Sequence, residues 1–60
     1  MDKSLIKEIC DYWYTHNNLN NEKLRVKDVA QIFKKDRHTI SCYLKMGTKL
    51  NWCVYKAKGA

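Results

Sequence analysis

The sequence predicts an all-α fold, a small three-helix bundle ending in an extended C-terminal tail, on three observations. Proline is absent and the two glycines, Gly47 and Gly59, fall late, so the first 46 residues contain no strong helix breaker. Apolar residues recur at helical spacing in three separate stretches. Beyond Gly47 that spacing gives way to alternation with a period of two.

Leu5, Ile6, Ile9, Cys10 and Trp13 form the stripe of an amphipathic helix, which predicts a first helix over about residues 3–16 with Asp2 or Ser4 as N-cap. The run Asn17-Asn18-Leu19-Asn20-Asn21 should end it, because asparagine tolerates left-handed backbone and bonds its own main chain. A loop over residues 17–25 follows. Val26, Val29, Ala30, Ile32 and Phe33 return to helical spacing, predicting a second helix over about residues 27–34. After Lys35 and Asp36, the triplet Ile40, Tyr43 and Leu44 predicts a third helix over about residues 37–46. Asp36 is placed to accept from the backbone N–H of His38 or Thr39, and Gly47 suits the left-handed position that closes a helix. In the tail, residues 47–60, Leu50, Trp52 and Val54 alternate with Asn51, Cys53 and Tyr55. This predicts an extended segment packed through the first set and pairing with backbone near the asparagine run. The last residues, 56–60, should fray.

Sixty residues suit one domain, and such a chain buries only about 60% of its unfolded surface. A small-molecule pocket of roughly 300 Å³ would hollow out most of that core, so a binding module is favoured over a self-contained enzyme and no small-molecule ligand is expected. No apolar run approaches the roughly 20 residues of a membrane span, and no signal peptide is recognisable. The net charge of +6 is one-sided. Residues 1–24 carry Lys3, Lys7 and Lys23 against Asp2, Glu8, Asp11 and Glu22, one net negative charge. Residues 25–60 carry nine basic residues against Asp28 and Asp36, a net +7, and no acid follows Arg37. A one-sided basic half is the footprint of a polyanion binder, most often of nucleic acid; the competing reading is a lysine-rich soluble surface.

Cys10, Cys42 and Cys53 are odd in number, and no two are spaced as in a zinc finger, even with His16 and His38 added. The expectation is reduced thiols in a cytoplasm, Cys10 and Cys53 packing as small apolar groups, with no metal and no cofactor.

Two short helices joined by a tight turn, the second basic and capped at its start, outline a helix-turn-helix. Ala30 falls where the two helices cross and a small side chain is needed. Thr39-Ile40-Ser41 resembles the Thr-Val-Ser core of bacterial repressor recognition helices. Against that family, Lys34 stands in place of a turn glycine, implying left-handed backbone, and Lys35 in place of a buried aliphatic residue, implying a packed stem with a snorkelling ammonium. The string from Thr39 to Tyr55, of the form TIxxYLKxGxxLxWCxY, resembles the nuclease-associated modular domains of GIY-YIG and HNH homing endonucleases of phages and bacteria. Those are helix-turn-helix units that bind DNA while another domain cuts it. The resemblance implies a targeting module of a nuclease, or a transcription regulator, in a bacterial or phage-infected cytoplasm. The cleavage motifs of those enzymes are absent from these residues.

With Ile40, Tyr43 and Leu44 turned inward, Arg37, His38, Ser41, Cys42 and Lys45 face out. Arg37 is the candidate for a bidentate contact to guanine, His38 and Ser41 for base edges or phosphate, and Cys42 for a thymine methyl. Lys27, Lys34, Lys35, Lys45 and Lys49 are the candidate phosphate partners, and the first turn of the second helix could present backbone N–H groups to a phosphate. Duller roles compete: Arg37 paired with Asp36 or Asp28, His38 without a base contact, and Trp13 and Trp52 as packing groups rather than stacking platforms, leaving Tyr55 the freer aromatic. The tail's Lys49, Lys56 and Lys58 could enter a minor groove as a basic arm, or simply keep the domain soluble. The expected partner is double-stranded DNA, with a homodimer or a tethered nuclease or regulatory domain adding affinity. The alternatives are a protein-interaction or dimerisation module with an exposed apolar patch, a single-strand or RNA binder, and an enzyme built on Cys42 and His38, for which no orienting acid falls on the same helical face.

Overall fold

The computed structural model of the chain describes residues 3–56. Three helices form: α1 over Lys3–Trp13, α2 over Val26–Phe33 and α3 over Arg37–Lys49. No strand forms among the described residues, and no helix there is long and apolar enough to cross a membrane. Helix α3 packs most extensively on α1, less on α2, and α1 meets α2 least.

The predicted stripe of α1 is the buried one. Ile6, Ile9, Cys10 and Trp13 join Val29 and Ala30 of α2, Ile40 and Leu44 of α3, and Cys53 in one core. Each fully buried Ile, Leu or Val contributes about 1.5–3 kcal/mol. Ile32 departs from the predicted stripe and is 51% exposed, because it projects beyond the face that α2 turns to α3. Ser4 lies inside α1 rather than capping it, and Asp2 falls outside the described residues.

The asparagine run does not end the first helix in a loop. After Trp13 the chain widens into a π-helical segment over Tyr14–Leu19, terminated where the Asn20 N–H donates to the Thr15 carbonyl at 3.1 Å. Two side-chain clamps explain why Asn17 and Asn18 remain helical. The Asn17 amide accepts from the Leu24 N–H at 2.6 Å and donates to the Leu24 carbonyl at 3.0 Å. The Asn18 amide does the same to Val54, at 2.9 and 3.1 Å. Each side chain stands in for a strand neighbour, and these long-range bonds outweigh the residue's local preference for turns.

Helix α2 starts where the Asp28 carboxylate accepts from the Arg25 N–H at 3.1 Å, half of a capping arrangement that also sets an acid against the positive end of the helix. Lys34 has φ 55° and ψ 46°, the left-handed conformation implied by its occupation of a glycine position. The Lys34 N–H donates to the Gln31 carbonyl and the Lys35 N–H to the Ala30 carbonyl, at 3.3 and 2.9 Å, which is a Schellman closure without glycine. Lys35 is exposed instead of packing its stem into the core. Asp36 caps α3 by accepting from the His38 N–H at 2.9 Å, as its position predicts.

Gly47 does not close α3. The helix runs three residues beyond the predicted end at Met46, and Gly47 is buried within it. A Cβ at Gly47 would collide with Cys10 Sγ and stand 3.4 Å from Cys53 Sγ, so glycine is needed here for close approach of helix and thiols. The turn that follows is taken by Asn51 at φ 63°. Of the predicted packing set in the tail only Trp52 packs on the core; Leu50 and Val54 are 51% and 54% exposed, while Cys53, from the other set, is 3% exposed and Tyr55 packs against the core. The Trp52 N–H bonds back to the Gly47 carbonyl at 2.8 Å, so the chain is still turning at Trp52 and the alternation begins one residue out of phase. The predicted pairing near the asparagine run is made by the Asn18 side chain, not by backbone. Of the residues predicted to fray, 56–60, all but Lys56 lie outside the described residues, Lys58 among them.

Candidate nucleic-acid interface

The Schellman turn and the Asp36 cap aim the first turns of α3 outward. His38, Cys42, Lys45 and Lys49 fall at i, i+4, i+7 and i+11, one stripe of the helix, and all four are exposed. Arg37 and Ser41 belong to the neighbouring stripe, which turns toward the tail. Arg37 is exposed, but Ser41 is half-buried with its hydroxyl 3.3 Å from the Tyr55 hydroxyl. The four candidate base readers therefore divide into two pairs. A hollow of about 390 Å³ in front of the first turn of α3 is lined by Val26, Asp36, Arg37, His38, Ser41 and Tyr55.

The acids that competed for Arg37 are otherwise engaged. The Asp36 carboxylate accepts from the His38 N–H and that of Asp28 from the Arg25 N–H. Among the described residues Lys7 pairs with Asp11 at 3.1 Å and His16 hydrogen-bonds Glu22 at 2.9 Å, and Arg37 is in neither contact. On the outer stripe, Cys42 Sγ lies 3.7 Å from His38 Nε2, and the ring has no carboxylate partner among the described residues. Lys34 and Lys35 are exposed on the turn and Lys27 on the first turn of α2.

Of three neighbouring residues, Arg25 alone escaped sequence reasoning. Arg25, Lys56 and Tyr55 line a second groove, of about 630 Å³, together with Trp13, Val26, Lys27 and Arg37. Arg25 directly precedes the turn already singled out at Val26 and Lys27, which was the available signal. Tyr55 is not the free aromatic expected. It meets Trp13 edge to face, with ring centres 5.3 Å apart, while Trp13 Nε1 donates to the Val54 carbonyl at 3.0 Å. Trp13 is a core residue, and Trp52 is half-buried beneath Lys7, whose ammonium stands 5.4 Å from its ring.

The other thiols take no part in this surface. Burial, reinforced by the adjacent Cys53, pushes the Cys10 thiol up to about 12, and burial also raises Cys53. No group of three or more His, Cys, Asp or Glu side chains among the described residues could hold a metal ion. Compared with protein-family models, with curated proteins and with solved structures, the chain finds no match.

Proposed function

We propose that this protein binds double-stranded DNA, with the outer face of α3 in the major groove. The observation that carries the proposal is the stripe His38, Cys42, Lys45 and Lys49, exposed beside Arg37 on a helix without an acidic residue and set behind a three-residue turn. Arg37 reads guanine through two parallel N–H donors, His38 supplies a further base-edge contact and Cys42 packs on a thymine methyl. Ser41, bonded to Tyr55, contributes through that pair. Lys27, Lys34, Lys35, Lys45 and Lys49 neutralise phosphates. The resemblance of the Thr39 to Tyr55 string to nuclease-associated modular domains supports a targeting role for a phage or bacterial nuclease, or a regulatory one.

A titration of a random-sequence 20-base-pair duplex and its single strand, followed by fluorescence anisotropy at 50 and 200 mM salt, tests this. Preference for the duplex, with a log-log salt slope of about −4 or steeper, is the expected result. Absence of duplex binding at 50 mM salt contradicts it. One observation favours a second reading, a protein-interaction module: Ile6, Met46, Leu50 and Trp52, rimmed by Lys3, line an apolar cleft of about 280 Å³ at the opposite end of α3. Self-association at rising concentration, insensitive to salt, would mark that role.

A further inference from the structure

Resting on the duplex-binding proposal, we infer that the groove between the starts of α2 and α3 and the tail seats one phosphodiester strand, with Arg25 and Lys56 as phosphate contacts. Four cations, Arg25, Lys27, Arg37 and Lys56, line this groove, and no carboxylate among the described residues does. They come from three separate segments: the residue before α2 with its first turn, the first turn of α3, and the tail. Charges gathered in this way suit an extended polyanion better than a single small anion. The floor is apolar, formed by Trp13 and Tyr55 packed edge to face, and the four cations stand exposed around it, where a phosphate backbone can reach them. Arg37 borders both this groove and the hollow at the start of α3. A strand lying here passes directly to the reading face.

The wall that carries Lys56 is held by a residue outside the groove. Asn18 makes two hydrogen bonds to Val54, and Trp13 Nε1 adds a third to the Val54 carbonyl. Asn18 is thus a positioning residue for the tail cation, tying the asparagine run to binding through backbone geometry alone. Thr48 supports the same wall, its hydroxyl accepting from the Tyr55 N–H at 3.0 Å.

The test measures salt slopes on the random 20-base-pair duplex for the wild-type protein, the double variant Arg25→Gln/Lys56→Gln and Asn18→Ala, with helicity checked by circular dichroism. Each phosphate contact contributes about 0.9 to the slope. The double variant should therefore be shallower by about 2, with duplexes of different sequence weakened equally, and Asn18→Ala should be shallower by about 1. A merely destabilising effect of Asn18→Ala lowers the active fraction and leaves the slope unchanged, which would overturn its positioning role. A wild-type slope in the double variant overturns the groove while leaving duplex binding by α3 intact. Failure of the wild-type protein to bind duplex overturns the reading on which the groove rests.

Discussion

The two ends of α3 are built on opposite terms. Its first turns expose Arg37, His38 and Cys42 above a three-residue turn, and the outer stripe is exposed along its length. Its last turns bury Leu44 and Gly47 against two thiols, with Cys10 Sγ donating to the Tyr43 carbonyl at 3.5 Å and Thr48 bonding back to the Leu44 carbonyl at 2.8 Å. The last turns anchor the helix through their buried face, while the outer stripe stays exposed from His38 to Lys49, so substitutions on the two faces should separate stability from the proposed binding.

The largest expected effect is at the anchored end. Gly47→Ala drives a methyl group into Cys10 Sγ. Overpacking of this kind costs about 1–3 kcal/mol, against a gain below about 1 kcal/mol from alanine's helix propensity. A net loss of about 1–2 kcal/mol in urea denaturation is expected, with affinity of the folded fraction unchanged. Lys45→Ala should do the reverse, weakening all duplexes about equally at unaltered stability. Arg37→Ala should relax specificity at one base pair.

A second effect belongs to the same seam. The Cys10 thiol, about 12 in the folded protein, ionises near 9.0 when unfolded, so the folded state holds its proton more tightly. Stability from this group is fully present below pH 9 and is lost as pH rises from there toward 12, by no more than about 1.4 kcal/mol per unit of pH. Melting temperatures between pH 8 and pH 10 should show this fall, and Cys10→Ala should flatten it. Acid has the opposite sign at the surface: the hydrogen bond from His16 holds the Glu22 carboxyl below its ordinary 4.5, so a small contribution present above that value fades as pH falls through the folded one.

The smallest effect sharpens the exposed end. Lys34 occupies left-handed backbone that costs a side-chain-bearing residue about 1–2 kcal/mol, part of which glycine recovers before its own entropy is counted. Lys34→Gly should stabilise the protein by about 0.5–1 kcal/mol in the same denaturation assay while removing one phosphate contact from the salt slope.

What the sequence made legible was local. Asp36 as a cap, Lys34 as a left-handed residue and the buried stripe of α1 each follow from neighbours within a few positions. Gly47 and the asparagines were misjudged because tertiary partners decide them. Gly47 has the composition of a helix terminator, yet its role is set by Cys10, 37 residues away. Asn17 and Asn18 have the composition of a loop, yet Leu24 and Val54 hold their side chains inside a π-helical segment. The phase of the tail was lost for a related reason, since the chain keeps turning through Asn51 before it extends. At the candidate interface the exposed lysines and Arg37 were legible from charge and periodicity. Arg25 was not, and Lys56 was legible as a tail cation but not as a neighbour of Arg25, because only folding brings the tail beside the start of α2.

The most direct test of DNA binding by α3 is a titration of the isotopically labelled protein with a short duplex, followed through backbone amide chemical shifts. Shifts concentrated at Arg37, His38, Cys42 and Lys45, with Ile6, Cys10 and Leu50 unmoved, are the predicted result. Shifts gathered instead around Ile6, Met46, Leu50 and Trp52, or none at low salt, would contradict it.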